Sequence, residues 1–122
     1  KIKGMVADLQ LTEDVIFTGA RKDIPAMMSM MDCFVFPSLF EGLGIVLLEA
    51  QAAGLRCVVS DTVPEETTVT EKVIRLSLSD NAKNWAKAAV GEKSYTTAPV
   101  KQHLETYDIK NLIETLKEYY RL

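Results

Sequence analysis

Two carboxylates, Glu41 and Glu49, could act together on one ligand. The residues between them, Gly42-Leu43-Gly44-Ile45-Val46-Leu47-Leu48, are all apolar or glycine. A helix opening near Leu43 would rise about 12 Å over this interval and turn roughly 80° beyond two full turns. Both carboxylates could then face one crevice. On such a helix Glu49 and Gln51 lie about 200° apart, so one solvated stripe cannot hold both. The expectation is a mostly buried helix whose carboxylate needs a partner, because unpaired buried charge is expensive.

Glycine at positions 42 and 44 lets a ligand approach the backbone closely. Free amides at a helix start, together with the helix dipole, favour phosphate. Carboxylates accept hydrogen bonds from sugar hydroxyls. The segment therefore suits a diphosphate carrying a sugar on each side, a ribose on one and a transferable hexose on the other. Three other readings compete. The dinucleotide fingerprint begins like Gly42-Leu43-Gly44, but its third glycine would fall at Leu47, and the upstream strand ends too early, at Phe36. A phosphate-binding P-loop is excluded, since no Gly-Lys-Ser/Thr occurs. In a purely structural reading, Glu41 caps a helix and Glu49 pairs with a surface cation.

Elements that could position this segment are legible along the chain. Ile2, Met5, Val6 and Leu9 recur at helical spacing, so the sequence opens on a helix. For an α/β domain that implies at least one preceding strand absent from it. Val15-Ile16-Phe17-Thr18 reads as a strand, followed by a turn at Gly19-Ala20-Arg21. Asp23 can cap a helix with Pro25 in its first turn, and Met27, Met28, Met30 and Met31 read as core filler there. Cys33-Phe34-Val35-Phe36 is a second strand, ended by Pro37. The buried helix runs over 43–53 and Gly54 stops it. Cys57-Val58-Val59-Ser60 is a third strand, 61–70 a loop, and Val73-Ile74-Arg75-Leu76 a fourth strand. Asp80 can cap a helix over 81–90 with Trp85 on its inner face. Residues 91–99 read as a linker, and a closing helix capped by Asp108 carries Ile109, Leu112, Ile113, Leu116 and Tyr120. Short, apolar, unalternating strands between helices predict an α/β fold with a doubly wound parallel sheet. Ligands bind such sheets at the carboxyl ends of the strands, where Gly19, the 37–44 stretch and Ser60-Asp61 fall.

With 122 residues, the chain is one domain or part of a larger one. A net charge of -3, with interspersed signs, gives no reason to expect nucleic acid. No apolar run approaches the roughly 20 residues that span a bilayer, and no signal peptide is visible. Cys33 and Cys57 lack histidine partners for a zinc site and read as buried thiols in a reducing compartment, with a disulfide as the alternative.

The run Phe36-Pro37-Ser38-Leu39-Phe40-Glu41-Gly42-Leu43-Gly44 continues through Leu47-Leu48-Glu49-Ala50-Gln51-Ala52-Ala53-Gly54 to Val58-Val59-Ser60-Asp61. It resembles the C-terminal domain of a family-4 retaining glycosyltransferase with the GT-B fold, similar to those of bacterial polysaccharide biosynthesis. Val15-Ile16-Phe17-Thr18-Gly19, Asp23-Ile24-Pro25 and, more weakly, Asp108-Ile109 extend the likeness. Leu55-Arg56-Cys57 departs from the Thr-Pro-Val type of step common in the family, a change expected to alter packing.

The resemblance implies a Rossmann-like C-terminal half lacking its first strand, with 1–122 a single partial domain that binds the donor and 91–122 a tail with a C-terminal helix. It also implies roles. Glu41 is similar to the first motif glutamate, at the donor sugar, and is assigned the catalytic position without being a nucleophile. Glu49 is similar to the second, on the ribose hydroxyls. Amides around Gly42, Leu43 and Gly44 would hold the diphosphate and sugar, Gly19 would lie near the diphosphate, and Ser38 near the nucleoside. The implied reaction is retaining transfer of a hexosyl group from a nucleotide sugar to an acceptor hydroxyl, in surface or capsular polysaccharide biosynthesis. No cofactor or metal is expected. The expected partners are the nucleotide sugar and a missing N-terminal acceptor-binding domain, which also allows peripheral membrane association. The expected location is cytoplasmic, and the isolated fragment is expected to be inactive.

His103, in the tail, reads as a solvated histidine. Arg21 and Lys22 read as solvated loop cations, and Asp61 and Glu65 as bystanders near the cleft. The alternatives kept open are a non-catalytic module that binds nucleotide sugar or completes a partner chain, and a related GT-B enzyme such as a glycogen synthase or sugar epimerase.

Overall fold

A computed structural model describes residues 1–91. The expected closing helix through Ile109 and Tyr120, its cap Asp108, His103 and the linker beyond Gly91 lie outside the described residues. Within them the order is α1 (Ile2–Asp8), α2 (Ile24–Ser29), β1 (Cys33–Phe36), α3 (Ile45–Ala52), β2 (Arg56–Ser60), a 3-10 turn (Glu65–Thr67), β3 (Val73–Leu76) and α4 (Ala82–Val90). The strands form one parallel sheet in the order β1-β2-β3, with Phe34 beside Cys57 and Val58 beside Ile74. This is the α/β, Rossmann-like arrangement the sequence predicts.

Side chains alternate across a strand, so β2 feeds both faces of the sheet. Cys57 and Val59 pack with Met28, Leu47, Ala50, Leu55 and Val63 in the main core, flanked by Phe34 and Phe36. The rings of Phe34 and Phe36 stack at 5.5 Å. On the opposite face the Arg56 guanidinium donates to the Ala88 carbonyl of α4, at 3.3 Å. As the central strand, β2 is buried from Cys57 to Ser60.

Helix α3 ends as its sequence dictates. Gly54 takes φ +78, the Leu55 amide bonds the Ala50 carbonyl at 3.1 Å, and the Gly54 amide bonds that of Gln51 at 2.9 Å. This is a Schellman stop, which favours glycine at the left-handed position. The Lys72 ammonium then donates to the Gly54 carbonyl at 3.0 Å, placing positive charge at the negative end of the helix.

Several expectations need correction. Val15-Ile16-Phe17-Thr18 joins no ladder. A strand exists only through bonds to a neighbour, and among the described residues none runs beside this run. Ile16 is exposed, and the Lys3 ammonium lies 5.5 Å from the centre of the Phe17 ring. Only Met28 of the methionine cluster is core. Met30 and Met31 are exposed. Asp23 stands at the cap position of α2 without capping it, because its carboxylate pairs with Arg21, at 2.7 and 2.5 Å. That contact raises the arginine and lowers the aspartate from their usual pKa values. Arg21 is thus a paired cation rather than a merely solvated one. Asn81, not Asp80, caps α4, accepting from the Asn84 amide at 2.9 Å. Trp85 is half-buried and donates its indole N–H to Ser77 O at 3.2 Å.

Both cysteines are free thiols, Cys33 half-buried and Cys57 buried. Burial raises Cys33 and pushes Cys57 up to about 12. An unfolded chain would lose the Cys57 proton at about pH 8.5. Between that pH and about 12 the unfolded state binds fewer protons, so folding stability falls as pH rises. The expected slope is about 1 kcal/mol per pH unit from this residue. Urea unfolding of the native chain and of Cys57→Ala across this range should differ in slope by that amount. Parallel pH dependences would show that Cys57 is not held as a buried thiol.

Candidate functional site

At the carboxyl ends of β1 and β2 the chain makes two loops that are tied together. The first, residues 37–44, leads from β1 into α3. The second, residues 61–72, crosses from β2 to β3. Parallel neighbours need a long return connection, usually an α-helix. Here that return contains only a 3-10 turn, so other groups must hold it.

Gln51 and Arg75 do so. Gln51 is fully buried on α3. Its amide nitrogen donates to Leu47 O at 3.1 Å and Thr67 O at 2.7 Å. Its oxygen accepts from the backbone amides of Val69 at 2.9 Å and Thr70 at 3.0 Å, and from the Thr70 hydroxyl at 3.2 Å. From β3, the Arg75 guanidinium donates to Val63 O, to Asp61 O at 3.2 Å and to Thr68 Oγ1 at 3.2 Å. Val63 and Thr67 are buried beneath the loop. Neither clamp was foreseen in the sequence. The available signal was an amide side chain on the face of α3 opposite Glu49.

The first loop hangs on the second. Ser38 O accepts from the hydroxyls of Ser60 at 2.5 Å and Thr62 at 2.6 Å. The Ser38 hydroxyl in turn reaches Glu41 Oε1 at 2.9 Å and Phe40 O at 3.0 Å. Ser38 and Glu41 are thus brought together, both half-buried. Around them Leu39, Phe40, Leu43 and Ile45 are exposed.

The helix begins two residues later than expected. Gly44 is its N-cap at φ +63, and Gly42 and Leu43 belong to the loop. Glycine is required at 44 by its left-handed backbone. At Gly42 φ is not positive and a Cβ would meet nothing within 4 Å, so the fold itself makes no demand for glycine there. No side chain caps α3, which leaves its first amides without side-chain acceptors.

Glu49 lies one turn beyond Ile45, on the exposed stripe that also carries Ala52. Gln51 is buried on the other side, as the angular separation requires. The expectation that Glu49 is a buried carboxylate with a partner is not met. Glu49 is exposed, and its carboxylate makes no hydrogen bond or ion pair among the described residues. Gly19 sits apart, in an exposed loop at φ +65, with no hydrogen bond to the 37–44 loop. Asp61 and Glu65 are exposed. Among the described residues no group of three or more His, Cys, Asp or Glu is placed to hold a metal ion. Nor is any helix there long and apolar enough to cross a membrane.

Residues 1–91 match the family described as Glycosyl transferases group 1. The chain belongs to that family. Among its relatives is EpsF of Bacillus subtilis, named as a glycosyltransferase, 46% identical over 78 residues. That match covers 63% of this chain and 20% of EpsF. The UDP-Gal:alpha-D-GlcNAc-diphosphoundecaprenol alpha-1,3-galactosyltransferase of Escherichia coli is 44% identical over 54 residues, 44% of this chain and 14% of that protein. The lipopolysaccharide core biosynthesis mannosyltransferase LpsB of Rhizobium meliloti is 36% identical over 61 residues, 50% of this chain and 17% of that protein. The matched stretch is thus a fifth or less of each of these curated relatives.

Proposed function

We propose that this chain forms the donor site of a glycosyltransferase that moves a hexosyl group from a nucleoside diphosphate to an acceptor hydroxyl, with retention of configuration, in bacterial surface polysaccharide biosynthesis. The observation that carries the reading is the pair Glu41 and Glu49 on either side of the Gly44-capped start of α3. The family membership supports the reaction class. The names of the relatives, a galactosyltransferase acting on a diphosphoundecaprenol and a mannosyltransferase of lipopolysaccharide core biosynthesis, support the kind of product.

In this reading the diphosphate lies against the first amides of α3, at the positive end of its dipole. Open space at Gly42 admits the donor to the backbone, with Leu43 and Gly44 beside it. Glu49 accepts from the ribose hydroxyls, and the free Glu41 oxygen accepts from the hexose. Gly19 approaches the diphosphate only if the donor bridges to its loop. As the glycosidic bond breaks, positive charge grows at the anomeric carbon and negative charge on the departing diphosphate. Catalysis is then mainly positioning and stabilisation of that departing charge, without a resident metal. The acceptor side of the cleft, and any peripheral membrane contact, belong to a further domain of a cytoplasmic protein.

Titration with uridine or guanosine diphosphate should shift the amide signals of Gly19, Gly42 and Gly44. Glu49→Ala should weaken binding by about 1.5–3 kcal/mol, the range for a hydrogen bond to a charged group. Glu49 has no packing role to lose, so its replacement should leave thermal stability unchanged. Equal affinities would remove the ribose role, and an absence of shifts with either diphosphate would remove the donor site.

A further inference from the structure

We propose that Ser60 and Thr62 are positioning residues that set the orientation of Glu41 through Ser38. The inference rests on the reading of Glu41 as the carboxylate at the donor hexose, and extends it to residues that reach no ligand themselves.

The geometry is a short chain of oxygens. Ser60 is fully buried at the end of the central strand. Its hydroxyl lies 2.5 Å from Ser38 O and 2.9 Å from Thr62 Oγ1, while Thr62 Oγ1 lies 2.6 Å from the same carbonyl. Three contacts among three oxygens share only two hydroxyl protons. Either both hydroxyls donate to Ser38 O, or one donates to the other, which donates onward. In each arrangement Ser38 O is held from β2. The Ser38 hydroxyl has one proton for two acceptors, Glu41 Oε1 at 2.9 Å and Phe40 O at 3.0 Å. The bond to Glu41 uses Oε1, and among the described residues Oε2 of that carboxylate has no hydrogen bond.

The consequence is directional. The neighbouring side chains of the 37–44 loop, Leu39, Phe40 and Leu43, are exposed, so packing does little to fix the loop. Its register against the sheet depends on the Ser38 carbonyl. Gln51 and Arg75 hold the loop that carries Thr62, so the linkage is anchored at both ends.

The test is ligand-free first. In a Ser60→Ala/Thr62→Val double variant, amide hydrogen exchange over residues 39–44 should speed by about tenfold, with exchange in β2 and β3 unchanged. In the full-length protein, turnover of the UDP- or GDP-hexose it uses should fall about tenfold in kcat, with KM for that donor within about twofold. Thr62 is exposed, so Thr62→Val alone will fold. It should show a smaller loss of the same kind, and Thr62→Ser, which restores the hydroxyl, should recover it. Unchanged exchange at 39–44 overturns the inference whatever the donor does. Unchanged kcat in the double variant, where Glu41→Gln is impaired, also overturns it and leaves the role of Glu41 standing. Failure of the native protein to use any UDP- or GDP-hexose, or full activity of Glu41→Gln, overturns the reading of the site and this inference with it.

Discussion

Gln51→Leu should lower the unfolding free energy by about 3 kcal/mol. Leucine matches the volume of the site but offers no polar atom. The amides of Val69 and Thr70 lose their acceptor and Thr67 O loses its donor, in a place where Gln51 and Thr67 are fully buried. Each orphaned group costs about 1–3 kcal/mol, and partial relaxation of the 61–72 loop toward water offsets some of the sum. Urea unfolding followed by far-UV circular dichroism measures the loss. A change below about 1 kcal/mol would show that Arg75 alone secures the crossover. Gln51→Glu separates the two halves of the clamp. A carboxylate can still accept from the Val69 and Thr70 amides, but it cannot donate to Thr67 O. Its ionised form is poorly solvated there, so that variant should lose stability as pH rises through the carboxylate range.

On the proposed function, Glu41→Gln in the full-length protein should reduce sugar transfer by about a hundredfold while leaving affinity for the bare nucleoside diphosphate within about twofold. The amide keeps the shape and can still accept from Ser38 through its oxygen. What it loses is negative charge near the anomeric carbon as positive charge develops there. A ground-state contact alone would appear in donor KM, whereas stabilisation confined to the transition state appears in kcat. An equal loss of diphosphate affinity would place Glu41 at the leaving group instead. Full activity in this variant would leave the 37–44 loop without a chemical role for its carboxylate.

The crossover from β2 to β3 explains why a buried polar network appears beside this site. A helix would satisfy its own backbone, but the 61–72 loop cannot, and buried amides need partners. Gln51 and Arg75 supply them from α3 and β3. The same loop carries Thr62, so the groups that make an economical crossover possible also brace the loop bearing Glu41.

Much of this protein was decided by local sequence. Cys33-Phe34-Val35-Phe36 and Val73-Ile74-Arg75-Leu76 form strands at the bounds their apolar runs predict, and Gly54 ends α3 where expected. Those signals act over one turn or one pleat, through backbone dihedrals and side-chain period, so they can be read without knowing the fold. The opposed placement of Glu49 and Gln51 follows from helix geometry in the same way. Which of the two is buried does not, and the tertiary structure exposed the carboxylate and buried the amide. Tertiary structure also decided that Val15-Ile16-Phe17-Thr18 stays outside the sheet, because strand propensity forms no ladder without a neighbour. The links from Gln51 to Thr67 and from Ser38 to Ser60 and Thr62 were likewise illegible. They join residues that no local period connects, and only the packing of α3 and the two loops at the strand ends brings their polar atoms within bonding distance.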